Sequence, residues 1–256
     1  GRVTTYGERY QQGPARALFL NQVLERAAAS PGLSGAAAIG DLFLSATPNS
    51  TIFSIEGRPD FAPEERVEVP VDAISPNYFS VMRVTLAKGR FFDTRDSAEA
   101  PAVVIINTTM KNMFWKDEDA IGRRIKYGTL AGNSPWMTIV GVVADTRRTG
   151  FESAVRPETY LPHAQSPAGT MLLVARASGE PSRAIASVRG AGRATDGAVA
   201  LQRPRTVDEL VGGLTAQRRL NTMLLAIFGI VAAALAVIGV YGVLGYSVAE
   251  RTREIG

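Results

Sequence analysis

Apolar and polar residues alternate in short blocks along most of this chain, but from Leu220 to Ala249 no residue is charged. At about 1.5 Å rise per residue, Met223 to Tyr246 extends roughly 36 Å as a helix. That is enough to cross the ~30 Å hydrocarbon layer of a bilayer with some tilt. A helix of a soluble core keeps a polar stripe, and this segment has none. The pattern predicts a transmembrane helix over residues 222–249. Within it Gly229, Ala232, Ala236 and Gly239 follow one another at helical spacing. They form a stripe of small residues against which another helix can pack closely in lipid. Tyr241 and Tyr246 lie toward the far end, where an aromatic belt belongs.

Upstream, two pieces of similar pattern bracket the rest. Arg2–Tyr6 reads as a strand. Pro14 then opens a helix running to about Ala29, with Leu18, Val23 and Leu24 as its apolar face. Ser30-Pro31-Gly32 stops it, and Leu33–Leu44 supplies a second strand. Near the other end, Met171–Ala175 is a strand and Pro181 opens a helix to about Thr195. Asp196-Gly197 turns the chain, and Val199-Ala200-Leu201 starts another strand. Two such strand–helix–strand units can share one sheet as a split βαβ arrangement.

The stretch between them reads as an inserted α/β unit. Arg66–Ala73 alternates apolar and charged residues, as a half-exposed strand does. Pro101–Ile106 is a buried-type strand, Asn107 caps a short helix Thr108–Trp115, and Trp136–Val143 is rich in β formers. Thr206-Val207-Asp208-Glu209 fits a capping box. It starts a stalk helix over 206–221 that leads to the membrane through Arg218-Arg219.

Composition narrows the chemistry. Of 28 Lys+Arg and 24 Asp+Glu, two of each lie beyond the apolar run, so the net charge upstream is mild. No basic cluster alternates with aromatics, and a nucleic-acid partner is not expected. Cysteine is absent and His163 is the single histidine, which removes thiol catalysis and zinc or copper sites. His163, after Leu161-Pro162, reads as a surface imidazole. Asp117, Glu118 and Asp119 lack the alternating spacing of a calcium loop and read as a solvated turn. No segment matches the phosphate-binding Gly-four residues-Gly-Lys-Ser/Thr pattern. Gly190-Ala191-Gly192 is half of a dinucleotide fingerprint, on the wrong side of a helix. Ser34 misses the nucleophile-elbow spacing by one residue. Asn49 and Asn107 each begin an Asn-x-Ser/Thr match, read as a loop and a helix cap. The expectation is a non-enzyme with no cofactor and no metal. The opening at Gly1 and the ending at Gly256 lead to the further expectation of a fragment of a longer protein.

Several of these segments together resemble a known family. Tyr241 through Gly256 resembles the start of an FtsX-type permease domain. Ser75-Pro76-Asn77-Tyr78-Phe79, Lys88-Gly89-Arg90-Phe91-Phe92, Val104-Ile105-Ile106-Asn107 and Ala120-Ile121-Gly122-Arg123-Arg124-Ile125 resemble the MacB-type periplasmic core domain. So do Ile139–Asp145 and Pro157-Glu158-Thr159-Tyr160-Leu161-Pro162. The match follows the family's order over nearly the whole chain, in the manner of the large duplicated permeases of that superfamily.

The resemblance implies an α+β fold. A periplasmic, porter-like split βαβ subdomain (1–45 and 168–205) carries an inserted α/β subdomain (46–167). The stalk, one span and the start of a cytoplasmic coupling segment (250–256) then follow. It further implies a permease subunit of an ABC-type system that transmits ATPase-driven motion to the periplasm. Its implied partners are a separate ATP-binding cassette subunit, a second permease copy or half, the bacterial inner membrane and a periplasmic protein. The coupling role carries over onto Arg251, Thr252, Arg253, Glu254, Ile255 and Gly256. The flanking arginines, Arg218 and Arg219 against Arg251 and Arg253, leave orientation undecided by charge. The resemblance places the large domain outside the cytoplasm. The alternative is a single-span receptor or anchored ligand-binding module.

Overall fold

The computed structural model describes residues 2–4, 13–40, 49–146, 154–195, 201–202, 206, 222–233 and 235–237. The chain divides into two units, Gly1–Pro204 and Arg205–Gly256.

The first unit is built on one mixed sheet. Its strands among the described residues are β1 Arg2–Thr4, β2 Leu33–Ile39, β3 Ser50–Thr51, β4 Phe53–Ile55, β5 Val69–Ile74 and β6 Leu86–Gly89. They continue with β7 Val103–Asn107, β8 Arg124–Tyr127, β9 Met137–Val143, β10 Thr159–Pro162, β11 Thr170–Ala177 and β12 Leu201–Gln202. The helices are α1 Gly13–Ala28, α2 Tyr78–Met82, α3 Thr108–Phe114 and α4 Pro181–Thr195. Spatial order is β12-β1-β11-β2-β5-β10-β7-β9-β8-β4, with β3 on β5 and β6 on β9.

At one end of the sheet, β11 lies between β1 and β2, and β1 lies between β11 and β12. The units β1-α1-β2 and β11-α4-β12 therefore interleave, which is the split βαβ arrangement. All neighbours in this part run antiparallel. The remaining strands arise between β2 and β11 in sequence, and include the parallel pairs β5–β10 and β7–β9.

Successive residues of a strand point to opposite faces, and the burial follows that rule. Ala36 and Ala38 pack with α1 and α4, whereas Ala37 and Ile39 pack with α2. Val104 and Ile106 meet Met110 of α3 and Trp115, while Val103 and Ile105 join Tyr78 and Phe79 of α2. Helices α1, α3 and α4 cover one face and α2 covers the other. The central strands are buried on both sides for that reason.

Most elements lie where the pattern put them, with instructive differences. The buried face of α1 is Phe19, Leu20, Val23, Leu24 and Ala27, and Leu18 is 61% exposed. Leu18 sits one residue, about 100° of helix, off that face. β5 begins at Val69, and Asp72 is buried rather than half exposed, because helices cover both faces of its half of the sheet. Asn107 caps α3 as expected, its side chain accepting from Met110 N–H at 2.9 Å.

In the second unit, residues 222–233 and 235–237 are helical (α5). Among the described residues no helix is long and apolar enough to cross a membrane. Nearly all of the stalk (207–221) and the end of the apolar run (238–249) lie outside them.

Candidate functional site

The described part of α5 is apolar and exposed on every side. Met223, Leu225, Phe228, Ile230, Leu235 and Val237 are each more than 60% exposed, and Leu224, Ile227 and Val231 about half. A three-residue step and a four-residue step both reach exposed side chains, so the described residues of the helix show no buried stripe. Gly229, Ala232 and Ala236 are exposed too. A Cβ added at Gly229 would meet nothing within 4 Å. Exposed apolar area of this extent is unfavourable in water, at roughly 25 cal/mol per Å². Gly239 and the segment Arg251, Thr252, Arg253, Glu254, Ile255 and Gly256 lie outside the described residues.

Several polar groups among the described residues of the first unit are engaged in structure. Asn107 is fully buried. Its Oδ1 accepts from Met110 N–H and, at 3.0 Å, from Glu158 N–H, and its Nδ2 donates to Arg156 O at 2.8 Å. One amide therefore closes the N-terminus of α3 and holds the approach to β10. Glu158, buried beside it, accepts from the Tyr160 hydroxyl and from Thr146 Oγ1. The acidic turn is paired with cations: Asp119 meets Lys88 Nζ at 2.9 Å, and Glu118 meets Arg123 at 3.4 Å. Among the described residues no group of three or more His, Asp or Glu could hold a metal ion.

Arg90 donates in bidentate fashion to Asp96, at 2.7 and 2.8 Å. Burial pushes the Asp96 carboxyl up, but the Arg90 bonds and the Asp93 N–H outweigh it and hold it below the usual range. Lys126 is 5% exposed and pairs with no carboxylate among the described residues; its Nζ donates to the carbonyls of Leu130 and Gly132, closing the loop between β8 and β9. Ser34 Oγ only donates to Arg176 O at 3.3 Å. Gly190 and Gly192 lie within α4 with open space beside them.

His163 departs from its expected surface position. It is 3% exposed, with Nε2 2.9 Å from Asn21 Oδ1 and Nδ1 unpaired. It borders a small half-open cleft with Arg16, Phe19, Leu20, Pro167 and Met171. Burial lowers its pKa from the ordinary value of 6.5. The partner Asn21 lies 142 residues away in sequence, so no local signal could place this ring in the interior. Sequence reasoning did not single out Ser75, Asn77, Gln165 and Arg176 among the structural ties; Gln165 Oε1, for one, accepts from Val103 N–H at 3.1 Å. Ser-Pro-Asn at the end of a strand is a turn signal that does point to the first two.

A family model for the MacB-like periplasmic core domain matches residues 3–210. A probable export ATP-binding/permease protein MacB of Pseudomonas entomophila is 29% identical over 205 residues, covering 74% of this chain and 29% of that protein. A macrolide export ATP-binding/permease protein MacB of Rhodospirillum rubrum is 27% identical over 248 residues, covering 88% of this chain and 37% of that protein. The second alignment spans enough of the chain that it must run past residue 210. The chain thus spans about a third of the length of these curated relatives. A crystal structure of the periplasmic region of MacB from Actinobacillus actinomycetemcomitans superposes with a TM-score of 0.48 at 15% identity, over 77% of this chain and 83% of that one. With the family model covering well over half of the chain, the chain belongs to the MacB-like periplasmic core domain family.

Proposed function

We propose that this chain is the periplasmic portion and one membrane span of an ABC-type export permease. In this reading the division is 1–45 with 168–205, the insertion 46–167, the stalk 206–221, the span 222–249 and the coupling segment 250–256. The carrying observation is α5, whose described residues are apolar and exposed on every side, joined to a domain of a periplasmic family. Lipid is the surrounding in which such a helix is stable. The names of the relatives pair ATP binding with permease function, which supports an ATPase as the source of motion. The stalk delivers displacement of the span to the sheet, and the small-residue stripe offers a face to another helix. Arg251 to Gly256 would meet the ATPase on the cytoplasmic side.

Copurification tests this reading. The full-length protein, tagged and solubilised in mild detergent, should retain an ATP-binding cassette subunit or domain. Its ATPase activity should uncouple from the permease part on Arg253→Glu with Glu254→Lys. No associated ATPase activity, or activity and association indifferent to both changes, would contradict it.

A further inference from the structure

The sheet is continuous in strand order, but not in the way its strands are joined. β2 and β11 are paired from Leu172 opposite Ile39 to Ala177 opposite Leu33, and β7 and β9 from Val103 opposite Thr138 to Asn107 opposite Val143. Between β2 and β5, which link the interleaved βαβ end to the rest, Ile39 and Ile74 are the one pair in register among the described residues. Two backbone bonds flank that pair, Gly40 N–H to Ala73 O at 2.7 Å and Ser75 N–H to Ala38 O at 2.9 Å.

At the Ser75 end the ladder stops for a local reason. Pro76 follows Ser75 and has no N–H to donate, so β5 cannot extend. Side chains take over instead. Ser75 Oγ accepts from Ala38 N–H at 2.9 Å and donates to Asn77 Oδ1 at 2.8 Å, while Asn77 Nδ2 donates to Ala36 O. On the α2 face, the Arg176 guanidinium of β11 donates to Val81 O at 2.7 and 3.0 Å. On the α1 face, His163 at the end of β10 reaches Asn21. On the α1 and α3 side the two parts have separate apolar clusters, joined across the line only by the small side chain of Ala73 of β5, which packs into the cluster under α1. The cluster under α2 crosses the line through Ala37, Ile39, Ile74 and Phe79. Apolar contacts of that kind can slide without stranding a polar group.

We propose that the line between β2 and β5 is a joint of the domain, at which the βαβ part and the inserted part swing relative to one another, latched by Ser75, Asn77, Arg176 and His163. The joint is a property of the folded domain and stands whether or not the chain crosses a membrane. Opening it breaks the two ladder bonds seen among the described residues and a few side-chain bonds. Splitting the sheet at β2–β11 would break a ladder several times longer.

Hydrogen exchange on the full chain in detergent micelles tests it, because the amides of Ala38, Gly40 and Ser75 belong to the joint and Ala38 and Ser75 are wholly buried. Surface exposure therefore cannot make Ala38 and Ser75 exchange quickly; opening can. The expected result is exchange at Ala38, Gly40 and Ser75 about tenfold or more faster than in mid-β7 and mid-β9. Asn77→Ala should accelerate the three amides about tenfold further and leave β7, β9 and α4 unchanged. Protection at Ala38 and Ser75 equal to that of β7 and β9 in the unmodified protein would overturn the proposal, whatever the variant does. So would an Asn77→Ala variant in which every amide accelerates alike.

Discussion

His163 Nε2 stands 2.9 Å from Asn21 Oδ1, tying the end of β10 to α1 across the line where the sheet's two parts meet. The ring is buried, its Nδ1 has no hydrogen-bond partner among the described residues, and Arg16 of α1 lines the same cleft. Asn21 is uncharged. Asp72 of β5 shares the opposite, α2 face with Ile74 by strand alternation. Burial disfavours a second proton on the ring and outweighs the backbone groups of Ile74 and Ala17, which favour it.

That arrangement fixes a pH dependence. The folded pKa of His163 lies below the unfolded value of 6.5 because of burial. The unfolded chain then binds the proton first as pH falls, and stability declines from 6.5 downward until the folded pKa is passed. Urea unfolding at pH 7.5 and at pH 5.5 should give a lower midpoint at the acid pH. His163→Gln, which keeps an amide donor near Asn21, should remove most of that difference. An identical acid loss in the variant would assign it to other groups.

Asn107 does two jobs with one side chain, since it caps α3 and holds the backbone of Arg156 and Glu158. Asn107→Ala should destabilise the protein by about 2–3 kcal/mol, the loss of a cap plus a stranded buried N–H. Asn107→Asp keeps both acceptors and loses only the donor, so its cost should be smaller. Thermal unfolding of the two variants checks the order. Because the side chain is fully buried, Asn107 should also remain unglycosylated in a glycosylating host, as a mass measurement would show.

Arg90 and Asp96 form a pair in which one partner is 3% exposed and the other 34%. Arg90→Ala should destabilise by about 1–2 kcal/mol, since Asp96 is left buried while its partner site admits water. The Asp96 carboxyl is held low, so this contribution is present above the ordinary carboxylate range and is lost as pH falls through the folded value. Unfolding midpoints of the Arg90→Ala variant and the parent should converge on acidification.

Much of this was legible in the sequence, and unevenly. Helix α4 and strands β7 and β9 announce themselves through length, composition and punctuation by Pro, Asn or Gly. The Asn107 cap is legible because it stands between a run of β-branched residues and a helix. Strands β4 and β8 are three and four residues long, too short to show a period. β10 and α2 carry the Pro-Glu-Thr-Tyr-Leu-Pro and Ser-Pro-Asn-Tyr-Phe segments. Those stand out through family resemblance rather than through any pattern of hydrophobicity. Long-range facts were out of reach. The burial of His163 and Asp72 depends on helices that pack from other parts of the chain, and the exposure of Leu18 depends on where the sheet meets α1.

The central claim is that a family domain stands outside a membrane which the apolar segment crosses. These 256 residues contain no cysteine, so single cysteines placed in them report position cleanly. Ala131→Cys lies in the exposed β8–β9 loop, and Thr252→Cys lies beyond the apolar run. In spheroplasts of a bacterial host, a membrane-impermeant maleimide should label the first without lysis and the second only after it. Equal labelling of both before lysis, or recovery of the protein in the soluble fraction, would contradict the account.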